Sequence, residues 1–467
     1  MACGKLPRFF PQVKRDINMV EIILIRYNLK DIEDKAISCI KKNTKYPYEL
    51  TLFDNYKEKI NLGKLWNKLI KDSDCEYICL LNSDAFVSEG WLTEMIKGFN
   101  DDVAIVGPST NYCLNCQKIT REKANENRDQ YEEIDGCSGF CYLLKKSVWE
   151  EVGGFPEDFG FYGQESAFGL KVKKFGYKQV WAKGAWVEHL GHASSSKAEQ
   201  NNEFSEVKER HFSRQRFARF KKKWDTSIKP KCTEETLKKL EEGLDKNRFA
   251  YVRFGDGDLL QMQGWYGRND NQFFSLELLK EKIESFQIVE PDYIRSVMAG
   301  TENEPNMTRG VFARYAEDSK YQSIIKKYTD NFDFYNPIAL HYLMAFYPEK
   351  VVNFIKKLQS KKVIFVGGEH LHNEIIQKVF NVNQFIETFS SQAYEKIDKW
   401  YPQIPKNGII LLAVGRSSGA VQKRLWNEKC KTVTFDIGSL ADWLSGIRSR
   451  TWIWKTENKV QNFIKKI

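Results

Sequence analysis

The sequence predicts an α/β protein of two domains, each a mostly parallel sheet with helices on both faces. Three observations predict it. A chain of 467 residues is long for one core and comfortable for two. Apolar strand-like runs alternate with amphipathic helical stretches, once in each half. Glycine, acidic or other polar residues stand where those strands end, and ligands of such sheets sit beyond the carboxyl ends of the strands.

In the first half VEIILIRYN (20–28) reads as a strand and DIEDKAISCIKKN (31–43) as a helix with Asp31 near its start. YELTLFDN (48–55) is a second strand, LGKLWNKLIKD (62–72) a helix and EYICLLNSDA (76–85) a third strand. The stretch from Lys208 to Lys231 holds ten Lys/Arg against Glu209 and Asp225, and reads as a basic, solvated helical linker. The boundaries expected are a first domain over 19–200, a basic linker over 201–234 and a second domain over 235–467. In that second half FAYVRFGDGD, KKVIFVGGEH, NGIILLAVGRSSG and CKTVTFDIGS each read as a strand meeting a Gly- or Asp-bearing turn.

Composition is that of an ordinary globular chain, 42% hydrophobic and 29% charged, with a net charge of +10. No run approaches the roughly 20 apolar residues that span a bilayer. The start, MACGKLPRFF, lacks an apolar signal region, and ten scattered Cys fit reduced thiols. A cytoplasmic location follows as the expectation, with the inner membrane face as its variant.

Two acidic positions carry the chemistry of the first half. Asp84 follows the apolar run 77–81, where a strand-end carboxylate can hold a hard cation. Glu165 lies near the start of a helix opened by GQES, where negative charge is favoured. VEHLGHAS then ends a strand with His189 and His192, and a histidine beside acids can complete a metal site.

Taken in order, IILIRYN, FDN, LLNSDAFVSEGWL, SGFCYLLKKSVWEEVGGFPE, GQES and VEHLGHAS make residues 19 to about 195 resemble the family 2 glycosyltransferases of the GT-A fold. The resemblance implies inverting transfer from a nucleoside diphosphate sugar. Asp54 would read the base or ribose, and Asn82 would stand in the DxD-type element whose metal-binding acid is Asp84. Asp135 and Gly136 would line the sugar pocket, Glu165 would be the catalytic base, and His189 a further metal ligand. The sequence departs from the family pattern at Asn82, at Gln164 before Glu165, and at Arg26, where a small or hydroxyl residue is common.

In the second half RFGDGDLLQMQG places Asp256 and Asp258 around Gly257 on a tight turn, so that both can reach one cation. Gly255 and Gly257 would let a phosphate approach the backbone and supply positive φ. Arg253 could balance a diphosphate. With LLAVGRSSG and FDIGS, residues 240–446 resemble the GT-D glycosyltransferases, a Rossmann-like fold. That resemblance implies a metal at Asp256 and Asp258; it names no base, for which Glu302, Glu304 and Glu369 are candidates. Ser439 stands where His is common.

The expected protein is a bifunctional glycosyltransferase using Mn²⁺ or Mg²⁺, a nucleotide-sugar donor (UDP-sugar foremost) and a glycan, glycoprotein or surface-polysaccharide acceptor. A phage-type transferase acting on modified DNA bases is the secondary expectation, resting on the basic stretch. The third is one active domain with a non-catalytic carbohydrate-binding partner domain.

Overall fold

The computed structural model describes residues 19–191, 193–200, 205–263, 275–298, 319–389 and 393–467. The chain divides into two compact units, the first ending at Thr226 and the second running from Ser227 to Ile467.

The first unit holds strands β1 (Val20–Arg26), β2 (Tyr48–Asp54), β3 (Tyr77–Asn82), β4 (Ala85–Val87), β5 (Val103–Ser109), β6 (Tyr131–Ile134), β7 (Cys141–Lys145) and β8 (Lys178–His189). Their order is β2-β1-β3-β7-β5-β8-β4, with β6 on β8. β2, β1 and β3 run parallel, while β7 is antiparallel to both β3 and β5. In β1 side chains alternate between two helix-covered faces. Val20, Ile22 and Leu24 join one core, and Ile23 joins the other. This explains the unbroken apolar run.

The second unit is a six-stranded parallel sheet of β9 (Phe249–Phe254), β10 (Tyr293–Val297), β11 (Val363–Gly368), β12 (Val382–Thr388), β13 (Asn407–Ala413) and β14 (Lys431–Asp436). The order is β10-β9-β14-β13-β11-β12. Tyr251, Phe365, Leu411 and Phe435 face one core, while Val252, Val366 and Leu412 face the other side.

The basic linker expected over 201–234 does not take that form. Its middle is a 20-residue helix, Glu206–Asp225, that belongs to the first unit, and the helix Thr233–Gly243 belongs to the second. The reason is an apolar spacing hidden among the charges. Trp224 is 2% exposed and packs near Phe220 and Phe175, and Phe220 lies 6.0 Å from Phe159. Lys174 pairs with Asp225 at 2.6 Å. Rings three and four residues apart share one helix face, so this helix has a seam to bury.

Candidate active site

The carboxyl ends of β1, β2 and β3 open onto a cavity of about 1210 Å³ within the first unit. Tyr27 follows β1, Asn55 follows β2, and Asn82 and Ser83 stand at the end of β3; all four line it. Arg26, unexplained from sequence, pairs with Glu33 at 3.0 Å. Glu33 is 1% exposed, and its other oxygen accepts from the amides of Tyr27 and Leu29 at 2.6 and 3.1 Å. A buried carboxylate needs such compensation. The pair therefore fixes the loop that presents Tyr27. Asp54 is exposed, caps the helix Asn55–Glu58 by accepting from the Tyr56 amide at 3.0 Å, and is not in the cavity wall.

Asp84 and His189 meet through strand register. β4 pairs antiparallel with β8, so that Ala85 opposes His189, and the Leu190 amide bonds the Asp84 carbonyl at 3.1 Å. His189 Nε2 then stands 3.4 Å from Asp84 Oδ1. The His189 ring stacks on Phe140 with centroids 5.0 Å apart, and Asn111 clamps the His189 backbone through its N–H and C=O at 2.8 and 3.1 Å. Nδ1 lies 3.1 Å from the Tyr112 carbonyl, which can only accept. With Nδ1 placed to donate there, Nε2 is the nitrogen turned toward the carboxylate, and in that tautomer it offers its lone pair. Nε2 is buried and has no hydrogen-bond partner among the described residues. An imidazole lone pair beside a carboxylate oxygen is the donor set of a divalent cation, and Mg²⁺ or Mn²⁺ needs few protein ligands when phosphate oxygens supply the rest.

The carboxylate is less open than a strand-end acid was expected to be. Asp84 is 4% exposed, and the cavity wall beside it is made by Asn82, Ser83 and His189. Burial works to raise its pKa, but His189, when it carries a proton on Nε2, and the Ala193 amide, which donates at 3.3 Å, outweigh that and hold it below the usual carboxylate range. Among the described residues no group of three His, Cys, Asp or Glu gathers as a metal cluster. His192 lies outside the described residues.

Glu165 lines the cavity at the second position of the helix Gln164–Lys174. The helix is entered through Gly163 at φ +100°, a conformation open to glycine, where a Cβ would also press on the Phe159 ring. A Cβ on Gly139 would come 2.8 Å from Glu165 Cγ, so the missing side chain there makes the seat for the glutamate. Burial raises the Glu165 pKa, against the amides of Glu165 and Gly163. Asp135 and Gly136 also line the cavity. Asp135 is exposed and pairs with Lys173 at 2.6 Å, a hydrogen-bonded contact that lowers its pKa. Buried Gln117 braces the loop that holds them, accepting from Ser138 N at 2.7 Å while Asn115 bonds the Gly136 carbonyl at 3.0 Å.

Tyr27 and Asn55, expected at the strand ends, line the cavity; Tyr112 and Tyr162 do so without having been singled out from sequence, as do Arg210, Arg214, Phe217 and Lys221. For the last four a signal existed. They recur on one helical face at spacings of four, three and four, with aromatic residues interleaved.

In the second unit the sequence-picked residues group at the carboxyl ends of β9 and β14, in a different arrangement from the one expected. Asp258 does not stand free for a cation. It accepts from the Gly255 amide at 3.0 Å, and its other oxygen is held by Lys282, itself 2% exposed and also bonded to Gln261 at 2.7 Å. Position three of a helix favours this capping role. The side chain of Asp256 lies outside the described residues, as do Glu302 and Glu304. Gly255 has φ −72°, and neither Gly255 nor Gly257 has the positive φ expected of it; the space beside both is open. The close approach is instead at Gly438, φ +43°, where a Cβ would stand 2.5 Å from Arg253 Nη1. Arg253 Nη1 lies 3.7 Å from Asp436 Oδ1. Burial pushes Asp436 up to about 7, with Arg253 opposing and Asp258 adding to the rise. His341, buried and with no hydrogen-bond partner on either ring nitrogen among the described residues, is held neutral by burial and by Arg253. Ser439 accepts from Trp452 at 3.4 Å, and Glu369 is exposed.

Residues 9–153 match the family model described as Glycosyl transferase family 2. The fold and this match define the class of the first unit, a glycosyltransferase domain of the nucleotide-sugar type. No curated protein sequence matches the chain. Among solved structures, GalNAc-T7 with UDP, GalNAc and Mn²⁺ aligns over 37% of this chain and 44% of its own, at 11% identity and TM-score 0.32. A mannosyltransferase from Pyrobaculum calidifontis, in complex with GDP-Man and Mn²⁺, aligns over 40% and 60%, at 16% identity and TM-score 0.30. S. aureus TarS 1-349 aligns over 38% and 62%, at 12% identity and TM-score 0.29. The chain thus spans less than two thirds of each of these three. Among the described residues no helix is long and apolar enough to cross a membrane.

Proposed function

We propose that the first unit transfers a sugar from a nucleoside diphosphate donor, with inversion, to a glycan, glycoprotein or surface-polysaccharide acceptor. The observation that carries this reading is the Asp84–His189 pair, with Nε2 buried beside a carboxylate and without a hydrogen-bond partner among the described residues. Those two residues would hold Mn²⁺ or Mg²⁺, which when bound supplies Lewis-acid stabilisation of the diphosphate leaving group. Glu165 takes the proton of the acceptor hydroxyl. Its burial raises its basicity, which suits a base working near neutral pH. Tyr27 and Asn55 shape the nucleotide end of the cavity, and the Asn115–Gln117 brace holds Asp135 and Gly136 at its wall. Asp54, exposed and turned to helix capping, is left to contact the ribose from the rim.

The test uses the full chain, Mn²⁺ and a panel of nucleotide sugars, UDP-sugars first, with nucleoside diphosphate release as the readout. Wild type should turn over at least one donor, and Asp84→Ala and Glu165→Gln should both lose turnover. Undiminished release by Asp84→Ala would sink the reading.

For the second unit we infer a further phosphate- or nucleotide-binding site of the GT-D type, which makes the protein bifunctional. Arg253, Asp436 and His341 support it, grouped beyond the strands at a sheet end where ligands of parallel sheets bind. The Lys282 lock on Asp258 favours the alternative that this unit binds without catalysing. Arg253→Ala and Asp436→Ala distinguish the two. Loss of a second donor-hydrolysing activity supports transfer, whereas loss of nucleotide binding alone supports a binding unit.

A further inference from the structure

The helix Glu206–Asp225 turns a row of cations into the cavity of the first unit. Arg210, Ser213, Arg214, Phe217 and Lys221 all line it. At 1.5 Å per residue the row from Arg210 to Lys221 is about 16 Å long. Of the acids on the same helix, Glu206 pairs with Arg210 itself at 2.7 Å, while Glu209 accepts from the Phe161 amide at 3.2 Å and Asp225 pairs with Lys174. Arg214 and Lys221 are exposed and have no acidic partner among the described residues. Ser213 is 7% exposed, lines the same wall, and its hydroxyl has no hydrogen-bond partner there. Arg210 lies 5.0 Å over the Tyr162 ring, which holds its guanidinium in place.

Unpaired cations and an unsatisfied hydroxyl on a cavity wall call for an anion that accepts several hydrogen bonds, and phosphate does so with a guanidinium fork. Two phosphates could come here, the donor's diphosphate or groups on the acceptor. Position favours the acceptor. The row packs along the helix that carries Glu165 and along the segment 159–162, whereas the Asp84–His189 pair is built from β4 and β8. A general base must touch the acceptor hydroxyl. The acceptor therefore lies on the side of the cavity where the cations are.

We propose that the acceptor is a phosphate-bearing glycan, its phosphates held by Arg214 and Lys221 and by the Ser213 hydroxyl, beside an Arg210 already paired with Glu206. This rests on the transfer reading given above. The row faces into a cavity rather than outward, so a single polymer chain fits it and a duplex lying on an open surface does not.

The experiment uses the full chain, wild type and the double variant Arg214→Glu/Lys221→Glu, which alters exposed side chains; circular dichroism checks its fold. Four probes are titrated: a glycerol phosphate oligomer, a neutral oligosaccharide of equal length, single-stranded DNA of equal charge, and UDP with Mn²⁺. Wild type should bind the glycerol phosphate oligomer over the neutral one, more weakly at about 200 mM than at about 50 mM salt. The double variant should lose about tenfold or more of that affinity, with UDP binding unchanged. Equal loss of UDP binding would assign the row to the donor, and tighter binding of the DNA through the same residues would assign it to nucleic acid; either outcome overturns the proposal. So does unchanged binding of the glycerol phosphate oligomer by the variant. Because these readouts are binding, they stand apart from failure of the transfer reading, which the Asp84→Ala turnover measures.

Discussion

His189 faces Asp84 because Ala85 and His189 are paired across β4 and β8, and the register sets Nε2 3.4 Å from Oδ1. Residues 105 positions apart in sequence are thereby made one donor set. Asp84→Asn and His189→Ala should each lower kcat/KM by about a hundredfold or more, since a lost cation forfeits several kcal/mol of charge stabilisation. His189→Ala should also raise the Mn²⁺ concentration needed for half-maximal turnover. If turnover by both variants matches wild type at all Mn²⁺ concentrations, the pair is not the cation site.

Glu165 is prepared as a base by burial, and the sign of its pH dependence follows. Its pKa lies above the usual 4.5 of a glutamate, so turnover should rise with pH through that raised value as the carboxylate forms. Glu165→Gln should drop kcat by about 10²–10⁴ and remove the acidic limb of the profile. A variant retaining both the rate and the limb would assign the base elsewhere.

Gly139→Ala probes the same group without touching its charge. The new Cβ would meet Glu165 Cγ at 2.8 Å and push the carboxylate from its seat. The expected result is a fall in kcat with KM for the donor little changed. Wild-type kcat in this variant would show that the seat does not position Glu165.

The basic helix is held by its rings. Trp224→Ala removes a 2% exposed side chain packed near Phe220 and Phe175 and should cost about 3–5 kcal/mol of stability. Hydrogen exchange should then accelerate across Glu206–Asp225 before it does in β1 or β3. Protection equal to wild type along this helix would contradict its docking on the first unit.

Asp436 gives the second unit a pH signature. Its pKa is near 3.8 unfolded and about 7 folded, so folding takes up a proton between those values. Its contribution to stability is full below pH 3.8 and is lost as pH rises to 7, at up to about 1.4 kcal/mol for each pH unit of that window. Denaturant unfolding of wild type against Asp436→Asn should show a difference that changes across this window and is flat above it. A constant difference from pH 4 to 8 would mean that Asp436 is ionised in the fold.

The sequence by itself determined the alternation of strands and helices, because buried parallel strands need unbroken apolar runs and their carboxyl ends collect polar residues. It also marked Asp84, Glu165 and His189, since the order of the surrounding motifs constrains each one. Tertiary structure decided what those residues touch. The Arg26–Glu33 pair, the orphaned Nε2 and the Lys282 lock on Asp258 depend on register and packing between segments far apart in the chain, which local composition does not encode. The basic stretch shows the difference most directly. Its charges read as solvated, and only the burial of Trp224 and the packing of Phe220 on Phe159 turned Arg210, Arg214 and Lys221 into a cavity wall.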